Sequence, residues 1–489
     1  MRTKPTAVFM AFGTKGDVYP IAAIAAAFAS DQRQYEVAFV THSAHEVFSI
    51  LQKLKVHLEA KRITYFPVSS PPVMSYQDTA GSRKVSFSLQ KNEIMIKHRQ
   101  ECVSIAEGIF GEDSNMDGRL ESCGTISTPP LLLKANFRKN FLFYMNIFKM
   151  LRLVGWEDVI HWMWPLFTGD WGHWRSHDLH LSFLPFTDAV TGLPRWHERP
   201  LSPLLLYGFS KEVVECPDYW PSRVQVCGFW FLPFEWQFSC SSCADISSLS
   251  FSRKLNAEEE MCSIHVNLKA FLNALPEQPI FMSLSSIGSM GYLRNPRAFL
   301  KVLENALSIT SCRFILFSAG YGPLDAEIKM SAQTLLSPSE QLQLSEDQTC
   351  LFGGRLLCFS GDVPYNWLFP RCAAAIHHGG SGSTAAALHA GIPQVICPFI
   401  LDQFYWAERM FWLGVAPEPL KGTCLVPDKD DDCYIMEAAN MLVGAINRAL
   451  SPEVKLQASQ IANRISAEDG VSEAVRLIRE EINCTGAAV

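Results

Sequence analysis

The chain has 489 residues, of which 48% are hydrophobic and 19% charged, and a formal net charge of -7. That length exceeds one ordinary core, so two domains are expected, and the composition excludes a disordered chain. A net acidic chain without a basic tail excludes nucleic acid as the main partner.

In chain order, residues 7–12 read as a strand, 18–29 as a helix, 35–41 as a second strand and 44–54 as a second helix. This is the βαβ pattern of a parallel, helix-covered sheet. Two short strands follow, at 204–208 and 224–228. From about 231 to 273 the alternation is lost among Pro, Ser, Cys and acidic residues, which predicts a linker with a surface insertion. A second α/β run then begins: strand 280–284, helix 296–308 and strand 313–317. After an irregular polar stretch near 331–348 come strands 356–359, 373–376 and 394–398, then a helical tail from 452 to 483. The acidic run at 428–432 reads as a solvated loop or a helix start.

The expected class is therefore α/β. Two doubly wound parallel-sheet domains, 1–230 and 276–450, are joined by a linker, 231–275, and followed by a helical tail, 451–489. Such tandem sheets would face each other across a cleft, with ligands outside the carboxyl ends of the strands.

The 15 cysteines are scattered, and Cys312, Cys358 and Cys397 sit in apolar strand-like runs. That suits reduced thiols in a cytoplasmic protein better than a disulfide framework. Cys240 and Cys243 form one C-x-x-C without a second pair at zinc spacing, so a loop is expected there rather than a metal site. The opening strand is too short for a signal peptide, and no run is long enough and free enough of charge to span a membrane. The apolar stretch 131–154 is broken by Lys134, Arg138, Lys139, Lys149 and Arg152. A helix of that mixture suits an anionic membrane surface, and equally suits packing on its own domain.

Four turns follow strands and carry chemistry-bearing residues. His377-His378-Gly379-Gly380-Ser381-Gly382-Ser383-Thr384 stands between a buried strand and a helix start. Its glycines let the backbone come close to a ligand, and the free N–H groups at the helix start suit a phosphate, with a histidine as a further donor. Gly13-Thr14-Lys15-Gly16-Asp17-Val18-Tyr19-Pro20 follows the first strand, with Pro20 expected in the first turn of the next helix. Asp17 there is either the N-cap of that helix or a carboxylate able to take a proton from a hydroxyl. The turn 285–291 offers Ser289 to a phosphate or is a plain Ser/Gly loop. Asp402 and Gln403 follow an apolar strand and can bond sugar hydroxyls or cap a helix, and Phe404 and Trp406 are expected to be core aromatics.

The order of these motifs resembles the UDP-sugar glycosyltransferases of the GT-B fold. It runs Gly13 to Pro20, Gly288-Ser289-Met290, Val363-Pro364-Tyr365-Asn366-Trp367-Leu368-Phe369-Pro370, His377 to Thr384, then Gly391-Ile392-Pro393 with Asp402-Gln403. Within that group it is most similar to sterol 3-beta-glucosyltransferases. The middle segments His161-Trp162-Met163-Trp164-Pro165-Leu166-Phe167-Thr168 and Thr191-Gly192-Leu193-Pro194-Arg195-Trp196 look like that branch's acceptor signatures. The resemblance implies an amino-terminal acceptor domain and a carboxy-terminal UDP-sugar domain. It implies Asp17 as general base, where many relatives carry histidine. It also implies donor contacts from Gly13, Ser289, Val363, His378, Gly380, Ser381, Gly382, Ser383, Asp402 and Gln403, with Val363 meeting uracil through its backbone.

UDP-glucose would be the donor, a membrane sterol the acceptor, and no metal or other cofactor would be needed. Localisation would be cytoplasmic with peripheral membrane contact. Lys15 stands where the family usually has Arg, Tyr19 where it has Gln, Ser286 where it has Gly, and Tyr365-Asn366 where it has His-Asp. These departures bear on sugar and acceptor preference. A glycosyltransferase for another hydrophobic natural product, and a silent UDP-sugar or lipid-binding relative, are the alternatives, with a sugar-nucleotide epimerase behind them.

Overall fold

A computed structural model describes residues 4–44, 53–72, 84–110, 125–126, 204–216, 222–233, 236–237, 266–284, 287–288, 290–318, 320–335, 348–360 and 363–486. The chain divides into two compact units. One comprises Met1–Phe110, Gly208–Pro217 and Val226–Arg476, the other Gly111–Tyr207, Asp218–Gln225 and Leu477–Val489.

The first unit opens with a parallel sheet of β1 (Thr6–Met10), β2 (Glu36–His42) and β3 (Ile63–Val68), in that order. Helix α1 (Lys15–Asp31) connects β1 to β2 and buries Val18, Ala22, Ala23, Ile24, Ala25, Ala26 and Phe28. Its run of alanines gives it a small-residue buried face, and Thr14 is its N-cap. Helices α2 (Lys53–Ala60) and α3 (Lys84–Phe110) flank β3 in the chain.

The second unit contains, but for Val226, a small sheet of β4 (Thr125–Ile126), β5 (Leu205–Tyr207) and β6 (Val224–Val226), with β4 and β5 parallel. In the same unit, Arg223 pairs with Glu481.

The first unit's larger sheet follows α4 (Val266–Asn273). Its chain order is β7 (Ile280–Ser283), α5 (Pro296–Ile309), β8 (Phe314–Phe317), α6 (Gly322–Leu335), β9 (Gln348–Leu351) and β10 (Leu356–Phe359). Then come α7 (Tyr365–Leu368), β11 (Ala374–His377), α8 (Ser381–Ala390), β12 (Gln394–Ile396), α9 (Gln403–Trp412) and α10 (Gly422–Leu425). Three helices end the chain: α11 (Asp432–Ala449), α12 (Pro452–Ile465) and α13 (Gly470–Gly486). The strands lie in the order β12-β11-β7-β8-β10-β9, and only the β9–β10 pair is antiparallel. Alternate residues feed two cores. Ile280, Met282, Phe314, Leu316, Leu356, Cys358 and Ile376 face one, while Phe281, Ile315, Phe317, Leu357, Phe359 and Ala375 face the other. A sheet buried on both faces is what the unbroken apolar runs in these strands require.

Several expectations need correction. Helix α1 begins at Lys15 rather than 18, so Pro20 lies in its second turn and leaves the Gly16 carbonyl without an i+4 amide. Helix α6 runs to Leu335, into the stretch read as irregular, and β9 begins at Gln348. The tail is two helices broken between Ile465 and Gly470, and Asp431 in the acidic run caps α11 by accepting from Cys433 and Tyr434 N–H. Cys312, Cys358 and Cys397 are free thiols. The stretch 131–154, the middle signatures at 161–168 and 191–196, and the Cys240–Cys243 pair lie outside the described residues.

Candidate functional site

From β7 the chain moves outward through β8 to the β9 edge, then returns to place β11 on the opposite side of β7. The sheet therefore reverses direction between β7 and β11. A crevice outside the carboxyl ends of two such strands is where open α/β sheets bind ligands. Ser283 and His377, the last residues of the two strands, are register partners. Leu284 and the turn that begins at His378 therefore leave the sheet from adjacent strand ends. Ser289 lies outside the described residues.

The start of α8 is bare. Gly380 is its N-cap and gives no side-chain cap, and the first backbone bond of the helix is Thr384 N–H to Gly380 O, 3.0 Å. The amides of Ser381, Gly382 and Ser383 precede that bond and have no acceptor within the helix, so they present the positive end of its dipole. A Cβ on Gly382 would meet nothing within 4 Å, so this side is open. Gly379, at φ +87, makes the reversal, and a side chain there would strike Ile396 Cγ2 at 2.8 Å and Gln403 O at 3.0 Å. The turn at Gly379 thus rests directly on the loop that carries Asp402 and Gln403.

His378 is buried, and its ring lies against Gly380, where a Cβ would come within 2.6 Å of Nε2. Its Nδ1 is buried without a hydrogen-bond partner among the described residues. Burial, with a smaller contribution from His377, pulls its pKa down to about 3, so the ring is neutral at pH 7 and can donate from one nitrogen. His377 is buried behind it. Its Nδ1 accepts from Gly379 N–H at 3.0 Å, and its Nε2 meets Gln394 Oε1 at 2.9 Å.

Gln403 is buried, and its Oε1 accepts from Phe399 N–H (2.9 Å) and Ile400 N–H (3.1 Å). Its carbonyl end therefore holds the loop, leaving the amide NH₂ as the end suited to a ligand hydroxyl. Asp402 occupies the N-cap position of α9 but makes no side-chain cap bond, and Oδ2 instead accepts from Trp406 Nε1 at 3.1 Å. Burial raises the Asp402 pKa, the Trp406 bond opposes this, and Asp17 adds to the rise. Trp406 is core, as expected, but Phe404 is 40% exposed. Gln403, Trp406, Ala407 and Met410 form the buried face of α9 at i, i+3, i+4 and i+7, and Phe404 falls off that face. Val363 is buried in the core beside Trp367 and Phe359, next to the Pro364 N-cap of α7.

Asp17 is exposed and is the third residue of α1, not its N-cap. Its Oδ2 accepts from Thr14 N–H (2.7 Å) and Thr14 Oγ1 (2.9 Å), a capping box that fixes the carboxylate. Gly13, at φ +114, makes room for it, since a Cβ there would lie 2.5 Å from Asp17 Oδ2.

Two arrangements were missed from sequence. One is the His377–Gln394 pair. The other is a string at the carboxyl ends of β2 and β3, where Ser70 Oγ lies 3.1 Å from His42 Nδ1 and 2.7 Å from His98 Nδ1. Its members are each 28 positions apart, so no local motif could signal them. Among the described residues no group of three or more His, Cys, Asp or Glu side chains could hold a metal ion. No helix among them is long and apolar enough to cross a membrane.

A doubly wound sheet with a bare helix start at its switch point is the arrangement in which open α/β folds take up anionic ligands. The chain has the GT-B glycosyltransferase fold. It matches the glycotransferase of kitacinnamycin with TM-score 0.55 and 12% identity, over 98% of this chain and 100% of that one. Residues 355–477 match the family described as erythromycin biosynthesis protein CIII-like, C-terminal domain.

More particularly, the chain is similar to sterol 3-beta-glucosyltransferases. It is 40% identical over 114 residues to UGT80B1 of Arabidopsis thaliana, covering 23% of this chain and 17% of that protein. To UGT80A2 of the same plant it is 29% identical over 270 residues, or 55% of this chain and 32% of that protein. The matched regions span less than a third of either relative's length.

Proposed function

We propose that the chain is an inverting glycosyltransferase that moves glucose from UDP-glucose to the 3-beta-hydroxyl of a sterol or similar membrane lipid. The observation that carries this reading is the bare start of α8 beside His378, whose buried Nδ1 has no partner among the described residues. Three amides without an acceptor in the helix, beside an imidazole, suit a diphosphate. The sterol comes from the two plant relatives, both of them sterol 3-beta-glucosyltransferases.

In the proposed reaction the acceptor oxygen attacks the anomeric carbon in line. Its bond to that carbon forms as the carbon–oxygen bond to UDP breaks, and Asp17 takes the hydroxyl proton. Attack opposite the leaving group turns an α-linked donor into a β-glucoside. The diphosphate gains charge as it leaves, so donors at the α8 start bind it more strongly in the transition state than in the ground state. Ser289 and the Val363 backbone complete the nucleotide contacts, and Asp402 with the Gln403 amide holds the sugar hydroxyls. A neutral imidazole and helix amides can do the work of a cation, so turnover is expected to survive a metal chelator. Loss of turnover that a divalent ion restores would refute that step of the reading. Sterol delivery implies contact with a membrane surface.

The test incubates purified protein with UDP-glucose and a mixed sterol–lipid extract, following UDP release and new glycolipids by mass spectrometry. A sterol-plus-hexose product is expected. UDP release only with other alcohols would keep the transferase and discard the sterol. Tight UDP binding without turnover would favour a second reading, which rests on the Thr14 bonds to Asp17: there the carboxylate only caps α1, and the protein binds UDP-sugar without using it.

A further inference from the structure

We propose that His377 and Gln394 are positioning residues for nucleotide diphosphate binding, acting through the peptide of Gly379; this rests on the donor-site reading above. Both side chains are buried, with 1% and 0% relative exposure, so neither reaches a ligand. His377 is nonetheless fully engaged. Gly379 N–H donates to Nδ1, which fixes the proton on Nε2, and Nε2–H donates to Gln394 Oε1. Gln394 Nε2 in turn reaches the Thr384 carbonyl (3.5 Å) and Met410 Sδ (3.7 Å).

The chain of contacts joins five elements: β11, the turn at Gly379, β12, α8 and α9. Without His377, the Gly379 N–H would be a buried donor inside a turn already at positive φ. That peptide could regain a partner only by rotating. Rotation would turn Gly380 and the first amides of α8 out of the direction they now hold. The ring thus holds the direction of the anion-binding amides without touching the anion. Cys397 N–H to His377 O, 2.9 Å, binds the same strand end to the Asp402–Gln403 loop. The diphosphate turn and the sugar loop are therefore placed together.

The experiment is UDP titration calorimetry on the full chain and on paired variants, each checked for native near-ultraviolet circular dichroism. His377→Leu removes both bonds, whereas His377→Asn puts Oδ1 where Nδ1 stands and keeps an acceptor for Gly379 N–H. UDP affinity is expected to fall about tenfold in His377→Leu and to stay within about threefold of the parent in His377→Asn. Gln394→Leu, which removes only the outer anchor and serves should His377→Leu not fold, is expected to fall several-fold. Native affinity in His377→Leu or Gln394→Leu would overturn the proposal. Equal losses in the Leu and Asn variants would do the same, since they would mark a general packing role. No UDP binding by the parent protein would instead sink the donor-site reading itself.

Discussion

In the proposed reaction Asp17 would add the role of base to the capping bonds it makes to Thr14, and the chemistry of asparagine separates the two. An Asn side chain can still accept from Thr14 N–H, so the start of α1 survives Asp17→Asn. It cannot take up a proton. Asp17→Asn is therefore expected to cut transfer by about 10²–10⁴-fold with the melting temperature and UDP affinity unchanged. Unchanged UDP release would return Asp17 to capping alone. The glycine at 13 was legible as a turn residue, but the carboxylate folding back over it was not, because that depends on helix α1 starting three residues early. At the second site, His378→Ala removes the buried donor beside the bare amides. UDP binding should weaken by about 1.5–3 kcal/mol, the range for a hydrogen bond to a charged group. Calorimetry giving the parent affinity would remove His378 from the diphosphate site.

Elements with strong apolar runs were read from sequence because burial on both faces leaves little else to encode. β7, β8, β10, β11 and β12 all fall within or next to their expected spans. β3 was missed: Pro67 lies inside it, tolerated because β3 is an outer strand of its sheet, and its buried residues Ile63, Tyr65 and Val68 do not keep a strict two-residue period. β9 was hidden because Gln348 and Thr349 look like loop residues, and α3 because its apolar residues do not form one stripe. The site element β11 was legible as a strand, but its two terminal histidines have a consequence that only packing reveals. Burial holds the pKa of His377 at about 4 and that of His378 at about 3, both below the ordinary 6.5. As pH falls below about 6.5 the unfolded chain takes up protons that the folded state refuses, so stability falls toward pH 4. For His377 alone the full loss is on the order of 3 kcal/mol. Thermal unfolding between pH 7 and 5 should show a falling melting temperature, less steep in His377→Asn. A flat profile, or an equal slope in that variant, would show that these rings are not what titrates.

At the scale of the whole chain, a contact invisible in sequence joins the connection between α12 and α13 to Ser210 and to Gly228–Phe229. Ser210 Oγ donates to Glu468 Oε1 at 2.7 Å across 258 positions, and burial raises the pKa of that glutamate. No periodicity could announce such a pair, and the tail read from sequence only as helix. The closest approach is backbone on backbone: a Cβ on Gly470 would lie 2.5 Å from Gly228 C and from Phe229 O. Neither atom can swing aside as a side-chain end could. Gly470→Ala must therefore push these chain segments away from each other and is expected to cost about 1–3 kcal/mol. Gly444, inside α11, has nothing within 4 Å of its added Cβ. Gly444→Ala should instead stabilise by about 0.5–1 kcal/mol, the helix advantage of alanine. Denaturant unfolding of the two variants should move in opposite directions. If Gly470→Ala proved as stable as Gly444→Ala, the tail would not be pinned at Gly228, and its helices would be held by their own packing alone.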